Sequence, residues 1–355
     1  MSLQNTMSTV EIRSVDALFP EWEALADATG ASPFMHPGWF ATWWNAFGTG
    51  RPAVFALRRH DGLAAVLPLF RRWGQLWSMT NWHTHIFGVL AKDDAARMEL
   101  LEAVLSTRRM PVLLAFLPVE RPDPQAAHTA AESAGMRLIV RETERSPYVP
   151  IDGDWERYLQ GRPHKRLTES RRRRRRLSEQ GRLWLDVQDG STRLEALLEE
   201  AFRVEGSGWK SRSGTAIASS SDTIQFYTDI AHWAARRGWL RLAFLRLDER
   251  PLAVQLLIQA DGAVSQLKGG FDEEYGRFSP GLLLAEDMLE RAFAEGLRSY
   301  DFLGADEAFK MDWARDVRVR MTVQAFPRTV AGMAGWAAWA FGRPAVIRLR
   351  ELRSR

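Results

Sequence analysis

Residues 277–304 read RFSPGLLLAEDMLERAFAEGLRSYDFLG. Leu282, Ala285, Leu289, Ala292, Phe293 and Leu297 recur at spacings of three and four, with Glu286, Asp287, Glu290, Arg291 and Glu295 on the other face. That period predicts an amphipathic helix against a core. Ser279 suits the cap, Pro280 the first helical position, where an N–H is dispensable, and Gly296 the stop. A short apolar strand, SYDFLG, then carries Asp301.

Upstream, WLRLAFLRL, a DERP turn, LAVQLLIQ, Asp261-Gly262 and AVSQLKGGF predict a three-stranded antiparallel meander, because Asp-Gly between alternating apolar runs marks a hairpin. Two helical segments, 192–205 and 221–237, precede it. The order is helix, helix, three strands, helix, strand. EWEALADATG, PGWFATWWNAFG, PAVFALRR, His60-Asp61-Gly62, LAAVLPLFRR, GQLWSMT, a helix near 93–107 and PVLLAFL repeat that order in the first half. A duplicated domain is therefore expected. The fold class is α+β, each domain a mostly antiparallel twisted sheet flanked by helices. The boundaries read 8–150, a basic helical linker at 151–181, 182–327, and a helical tail at 328–355.

The chain has 355 residues, 46% of them hydrophobic and 26% charged, enough for two globular domains. With no cysteine there is neither a disulfide framework nor a thiolate zinc site, which fits a reducing compartment or a bacterial cytoplasm. The opening MSLQNTMSTVEIRS lacks a basic region followed by an apolar stretch, so no secretory signal is read, and Met7 offers an alternative start. No window reaches the roughly 20 apolar residues of a bilayer span. The tail VAGMAGWAAWAFGRPAV, followed by IRLRELRSR, is read first as docking on the protein's own surface; peripheral membrane contact is the alternative.

Net charge is +4, yet eight of the 48 basic residues lie in 165–176. The basicity is local. Glu169 with Arg173 and Arg175 with Glu179 are helical i,i+4 pairs, which makes a solvated helix face the plain reading; an anion site that includes Arg171 and Arg172 is the functional one. No aromatic interrupts the run, so base stacking has no support. Walker, dinucleotide and Gly-x-Ser-x-Gly signatures are absent, leaving NTPase, dehydrogenase and hydrolase readings without a basis.

Three stretches carry a family resemblance: EGSGWKSRSGTA at 205–216, LKGGFDEEYGRFSPGLLL at 267–284 and YDFLGADEAFKMDW at 300–313. With the repeated element order, they resemble the GNAT acyltransferases, in particular the CelD-like (BioF-like) branch related to FemABX-type transferases. The resemblance spans about 10–327. It implies acyl transfer from acetyl-CoA or another acyl-CoA, without metal, to an amine or hydroxyl of a small-molecule or saccharide acceptor, in the branch sometimes linked to polysaccharide production. FemABX-type relatives draw on aminoacyl-tRNA, so tRNA is a second partner to weigh, and a non-catalytic binding protein a third reading. The superfamily's Arg/Gln-x-x-Gly-x-Gly/Ala loop is missing, and RFSPG at 277–281 stands in its place.

Acyl transfer needs a held donor, a polarised carbonyl and a base. Ser279, Gly281 and Leu282 open a helix whose amides suit a diphosphate, though Ser-Pro-Gly also serves as a bare cap. Lys268, Gly269, Gly270 and Arg277 complete the donor set; the glycines either relieve crowding where donor and strand meet or mark a bulge. Glu205 is the favoured base, against an exposed helix-end acid paired with Lys210. Asp272 and Tyr275 are second choices. Asp301 and Lys310 read either as a structural ion pair or as cleft groups that steady an oxyanion. Trp209, Lys210, His83, His85 and Trp313 are assigned to the acceptor. Zinc at His83 and His85 is disfavoured for want of further ligands. Trp39, Trp43 and Trp44 read as core. The first half has no Ser-Pro-Gly before its helix, so it is expected to have lost donor binding and to shape the acceptor site.

Overall fold

The computed structural model describes residues 8–106, 110–207 and 216–342. Two compact units divide the chain: unit 1 takes residues up to 44, 48–145 and those from 318 onward, and unit 2 takes 45–47 and 146–317.

Unit 1 begins with β1 (Ser8–Ile12), α1 (Phe19–Ala28) and α2 (Pro37–Phe47). There follow β2 (Arg51–Arg59), β3 (Gly62–Arg72), β4 (Gln75–Ser78), β5 (Leu90–Ala91), α3 (Asp94–Ser106), β6 (Val112–Pro118), α4 (Asp123–Ser133) and β7 (Arg137–Pro150). Strands β1 to β4 pair antiparallel in turn, and β4 pairs parallel with β6. Trp39 and Trp43 are buried, as their helical spacing predicts, together with Trp22 and Phe40, while Trp44 is half-buried.

Unit 2 continues with α5 (Trp155–Gln160), α6 (His164–Ser178), β8 (Leu183–Gln188), α7 (Leu194–Glu205) and α8 (Ser221–Arg236). Strands β9 (Leu240–Leu247), β10 (Arg250–Ala260) and β11 (Ala263–Phe271) form the expected meander. Helix α9 (Pro280–Ala294), β12 (Ser299–Asp301) and α10 (Ala308–Met311) follow. Strand β12 lies parallel to β11, with Val264 opposite Tyr300. Leu283, Leu284, Met288, Leu289, Ala292 and Phe293 of α9 sit in one buried cluster with Ala243, Leu245, Ala253 and Leu257. Of the quoted stripe, Ala285, Leu289, Ala292 and Phe293 belong to this cluster and Leu297 packs against it, whereas Leu282 is half-buried outside it and Leu283, Leu284 and Met288 take the rest of the core face. Its end is a Schellman closure: Gly296 has φ +63, and the Leu297 amide donates to the Ala292 carbonyl at 3.1 Å.

The two units share one succession, α1–α2–β2–β3–β4–α3–β6 and α7–α8–β9–β10–β11–α9–β12. Their borders differ from those read in sequence. Residues 318–326 of β13 (Asp316–Phe326) belong to unit 1, where 320–325 pair antiparallel with β6, and α11 (Val330–Ala337) follows them there. Residues 148–150 of β7 pair with β12 in unit 2. Pairing between strands far apart in the chain leaves no local pattern, so these two exchanges are invisible to sequence periodicity. No helix of the described residues is long and apolar enough to cross a membrane.

Candidate active site

A cavity of about 370 Å³ opens in unit 2 at the start of α9. Glu205, Gln255, Gln266, Gly269, Gly270, Phe271 and Glu273 line it, with Ser279, Gly281, Leu282, Glu307 and Phe309. Five of the seven donor positions named from sequence therefore meet at one place: Gly269, Gly270, Ser279, Gly281 and Leu282. Native side chains do not fill it.

Each glycine here answers a packing demand. A Cβ on Gly270 would stand 2.5 Å from Cα of Glu205, so β11 and the end of α7 approach at a distance only glycine permits. A bulge at Leu267, between the pairs Leu256–Lys268 and Leu257–Gln266, precedes it. The cradle and the bulge are both present.

The helix start differs from the plain cap expected. Ser279 is left-handed (φ +49), and its side chain makes no cap bond. Its hydroxyl instead accepts from Nη1 of Arg173 at 2.8 Å. The amides of Leu282 and Leu283 both donate to the Ser279 carbonyl, at 2.9 and 3.3 Å, so they are not open to a ligand. Gly281 retains the one amide of the first turn with no acceptor among the described residues, and Arg173 adds a cation beside it. The basic helix α6 lies along α9 through further contacts: Arg174 pairs with Asp287 at 2.5 Å, and Ser170 donates to Glu286. Burial pushes the Asp287 carboxyl above its usual range, more than Arg174 draws it down.

Glu205 is 2% exposed and ends α7 at the cavity wall. Its Oε2 accepts from the Ile217 amide at 2.8 Å. Burial first, and then the Glu205 charge, pushes the hydroxyl of fully buried Tyr227 well above its usual range. Glu205 thus brings a buried carboxyl group, held by a backbone donor, to the cavity wall.

Other sequence assignments fall elsewhere. Lys268 turns its ammonium to the Tyr227 ring, 5.5 Å from the centroid, beside a smaller adjoining cavity. Arg277 is exposed, its guanidinium over Phe278. Asp272 caps the 273–278 turn and pairs with Arg250 at 2.6 Å, while the same guanidinium covers the Tyr275 ring, so neither reaches the cavity wall. Asp301 and Lys310 lead apart. Oδ1 of buried Asp301 accepts from Ser146 at 3.0 Å and from the Leu303 amide at 2.9 Å. Nζ of Lys310 donates to the carbonyls of Leu303 and Ala305 and pairs with Glu307 at 2.8 Å. A nearby acid and two carbonyls compensate the buried ammonium, and the lysine ties down the loop after β12. Trp313 is 1% exposed in the core cluster, not on a ligand surface.

Arg171 and Arg172 are exposed on α6, with Arg172 held by Glu169 at 2.7 Å. Packing brings Arg173 and Arg174 to α9 in their stead. His83 and His85 belong to unit 1 and lie in an irregular segment. Nδ1 of His85 meets Oε2 of buried Glu144 at 2.8 Å. Trp209 and Lys210 lie outside the described residues. For a metal, the only group of His, Asp and Glu close enough among the described residues is Glu23, Asp27 and His36 in unit 1. Gln255, Gln266, Tyr300, Glu307 and Phe309 escaped the sequence reading. A glutamine inside each of two apolar strands, LAVQLLIQ and AVSQLKGGF, was the available signal.

Residues 164–311 match the family model described as an acetyltransferase (GNAT) domain. No curated protein matches the sequence. Solved structures share the fold over nearly the whole chain. The C-terminal domain of an Agrobacterium fabrum chain described as a lysylphosphatidylglycerol synthetase is 13% identical with a TM-score of 0.58, covering 92% of this chain and 96% of that one. L-PGS from Bacillus licheniformis is 13% identical with a TM-score of 0.56, covering 88% and 93%. FemX is 13% identical with a TM-score of 0.55, covering 89% and 96%. The match over residues 164–311 is to a GNAT-type acetyltransferase domain, and the fold of the chain is similar to that of FemX.

Proposed function

We propose that unit 2 transfers an acyl group from an acyl-CoA to an amine or hydroxyl of a small-molecule or saccharide acceptor, with the donor in the cavity at the start of α9. The observation that carries this reading is the convergence of Gly269, Gly270, Gly281 and Ser279 on one unfilled cavity, with the Arg173 guanidinium at its helix end. The Gly281 amide and Arg173 would hold the diphosphate. Glycines along β11 leave room for the amide arm beside the strand. Glu205 would take the proton from the acceptor as its nitrogen or oxygen bonds to the acyl carbon and the carbon–sulfur bond breaks; the thiolate leaves and is protonated. Unit 1, which has the same element order without a Ser-Pro-Gly helix start, is read as a degenerate copy that serves the acceptor. We place the activity in the bacterial cytoplasm, in polysaccharide or envelope metabolism.

A thermal-shift series with CoA and acetyl-CoA tests the donor. Both should raise the melting temperature, and Gly281→Glu should abolish the rise. A rise that survives this substitution would put the donor elsewhere, and no rise at all would favour a binding protein without acyl-CoA chemistry.

The FemX-like fold and the exposed Arg171, Arg172, Arg175 and Arg176 on α6 favour a second reading, aminoacyl transfer from aminoacyl-tRNA. Activity that needs charged tRNA and disappears when these arginines are neutralised would decide for it.

A further inference from the structure

Two carbonyl oxygens claim one proton at the cavity floor. The Tyr300 hydroxyl lies 3.0 Å from Oε1 of Gln255 and 3.1 Å from Oε1 of Gln266, yet a phenol has a single O–H to donate. Carboxamide oxygen and nitrogen have the same shape, so their orientation follows from the hydrogen bonds they can make. The consistent arrangement is a relay: Tyr300 donates to one glutamine and accepts from the NH₂ of the other. Tyr300 is fully buried and Gln255 is 3% exposed, so bulk water does not offer a substitute partner.

Each glutamine then has one end engaged by Tyr300 and turns the other to the cavity that both line. Whichever glutamine accepts, the floor presents one N–H donor and one carbonyl acceptor on neighbouring strands. Gly269, opposite Gln255 in the β10–β11 register, keeps them uncovered. A Cβ there would stand 2.9 Å from Nε2 of Gln266 and 3.5 Å from Cγ of Gln255, and would lie over both.

An aliphatic group on this floor strands a desolvated donor and acceptor, whereas a hydroxyl or amide satisfies both. We propose that Gln255 and Gln266 are specificity-determining residues, positioned by Tyr300, for a transferred acyl group that carries a hydroxyl or amide rather than a plain alkyl chain. The inference rests on the acyl-CoA reading of the same cavity.

Titration calorimetry of the full chain with CoA, butyryl-CoA and 3-hydroxybutyryl-CoA tests it, the last two differing by one hydroxyl. The hydroxylated species should bind at least about tenfold tighter. In Gln266→Leu, the ratio should fall to about twofold or less while the Kd for CoA itself stays within about twofold, since the diphosphate grip is elsewhere. Tyr300→Phe, which keeps the ring and removes the relay, should shrink the ratio as well and provides a second route if the leucine variant does not fold. Equal affinities, or a preference for butyryl-CoA, with CoA still bound would overturn the selectivity and leave the donor assignment standing. Failure of all three species to bind would overturn both.

Discussion

Replacing Gly270 by alanine probes the contact on which the cavity wall depends. The new Cβ would lie 2.5 Å from Cα of Glu205, 3.0 Å from its Cγ and 3.1 Å from its Cβ. Carbon atoms rest at about 3.5–4.0 Å, so the end of α7 and β11 must part by about 1 Å. No rotamer relieves this, because the nearest atom is backbone. The single proton of the Ser207 hydroxyl has the carbonyls of Val204 and Phe271 within reach, at 3.0 and 2.9 Å, and a bond to Phe271 ties that helix end to β11 and resists the shift. Overpacking of this kind costs about 1–3 kcal/mol, against the ~0.4–1 kcal/mol that Gly→Ala returns by restricting the unfolded chain where room exists. A net loss of about 1–2 kcal/mol is expected by urea denaturation. Gly281→Ala is the control: its Cβ would meet only the edge of the Phe271 ring, at 3.3 Å, which can give way. Its stability should stay within about 0.5 kcal/mol of the parent. If Gly270→Ala proves as stable as Gly281→Ala, the close approach of α7 and β11 is not the constraint inferred.

Lys310→Met should cost about 1–3 kcal/mol, because it strips the Leu303 and Ala305 carbonyls of their ammonium donor; an unchanged urea midpoint would refute the structural role given to this lysine. Asp287 has its folded pKa raised by burial, so the folded state binds that proton more tightly than the unfolded chain does. Its contribution is fully present below the unfolded carboxylate pKa and is lost as pH rises through the folded value. Relative to Asp287→Asn, the parent should lose stability over that acidic window, and parallel stability–pH curves would contradict the assignment. Glu205→Gln keeps an oxygen for the Ile217 amide but cannot take a proton: kcat should fall by about 10²-fold or more with the Kd for CoA unchanged, and retained turnover would remove Glu205 as the base.

The sequence alone determined the local architecture, since helical and strand periods and turn chemistry act over a few residues. The α9 stripe, the Gly296 stop, the Asp-Gly hairpins and the order of elements in both halves could all be read from neighbours in the chain. Gly269, Gly270 and Gly281 were legible for the same reason, as glycines beside a strand end and a helix start. Tertiary packing alone decided which side chains meet. It selected Arg173 over Arg171 for the helix start, because the face of α6 that lies on α9 is set by the partner helix rather than by the run of arginines. It sent Lys310 to Glu307 and Asp301 to Ser146, and carried residues 318–326 into unit 1. Gln255, Gln266 and Tyr300 lie on three strands, and the relay they form exists only once β10, β11 and β12 are in register, a juxtaposition across the sheet that no spacing along the chain encodes.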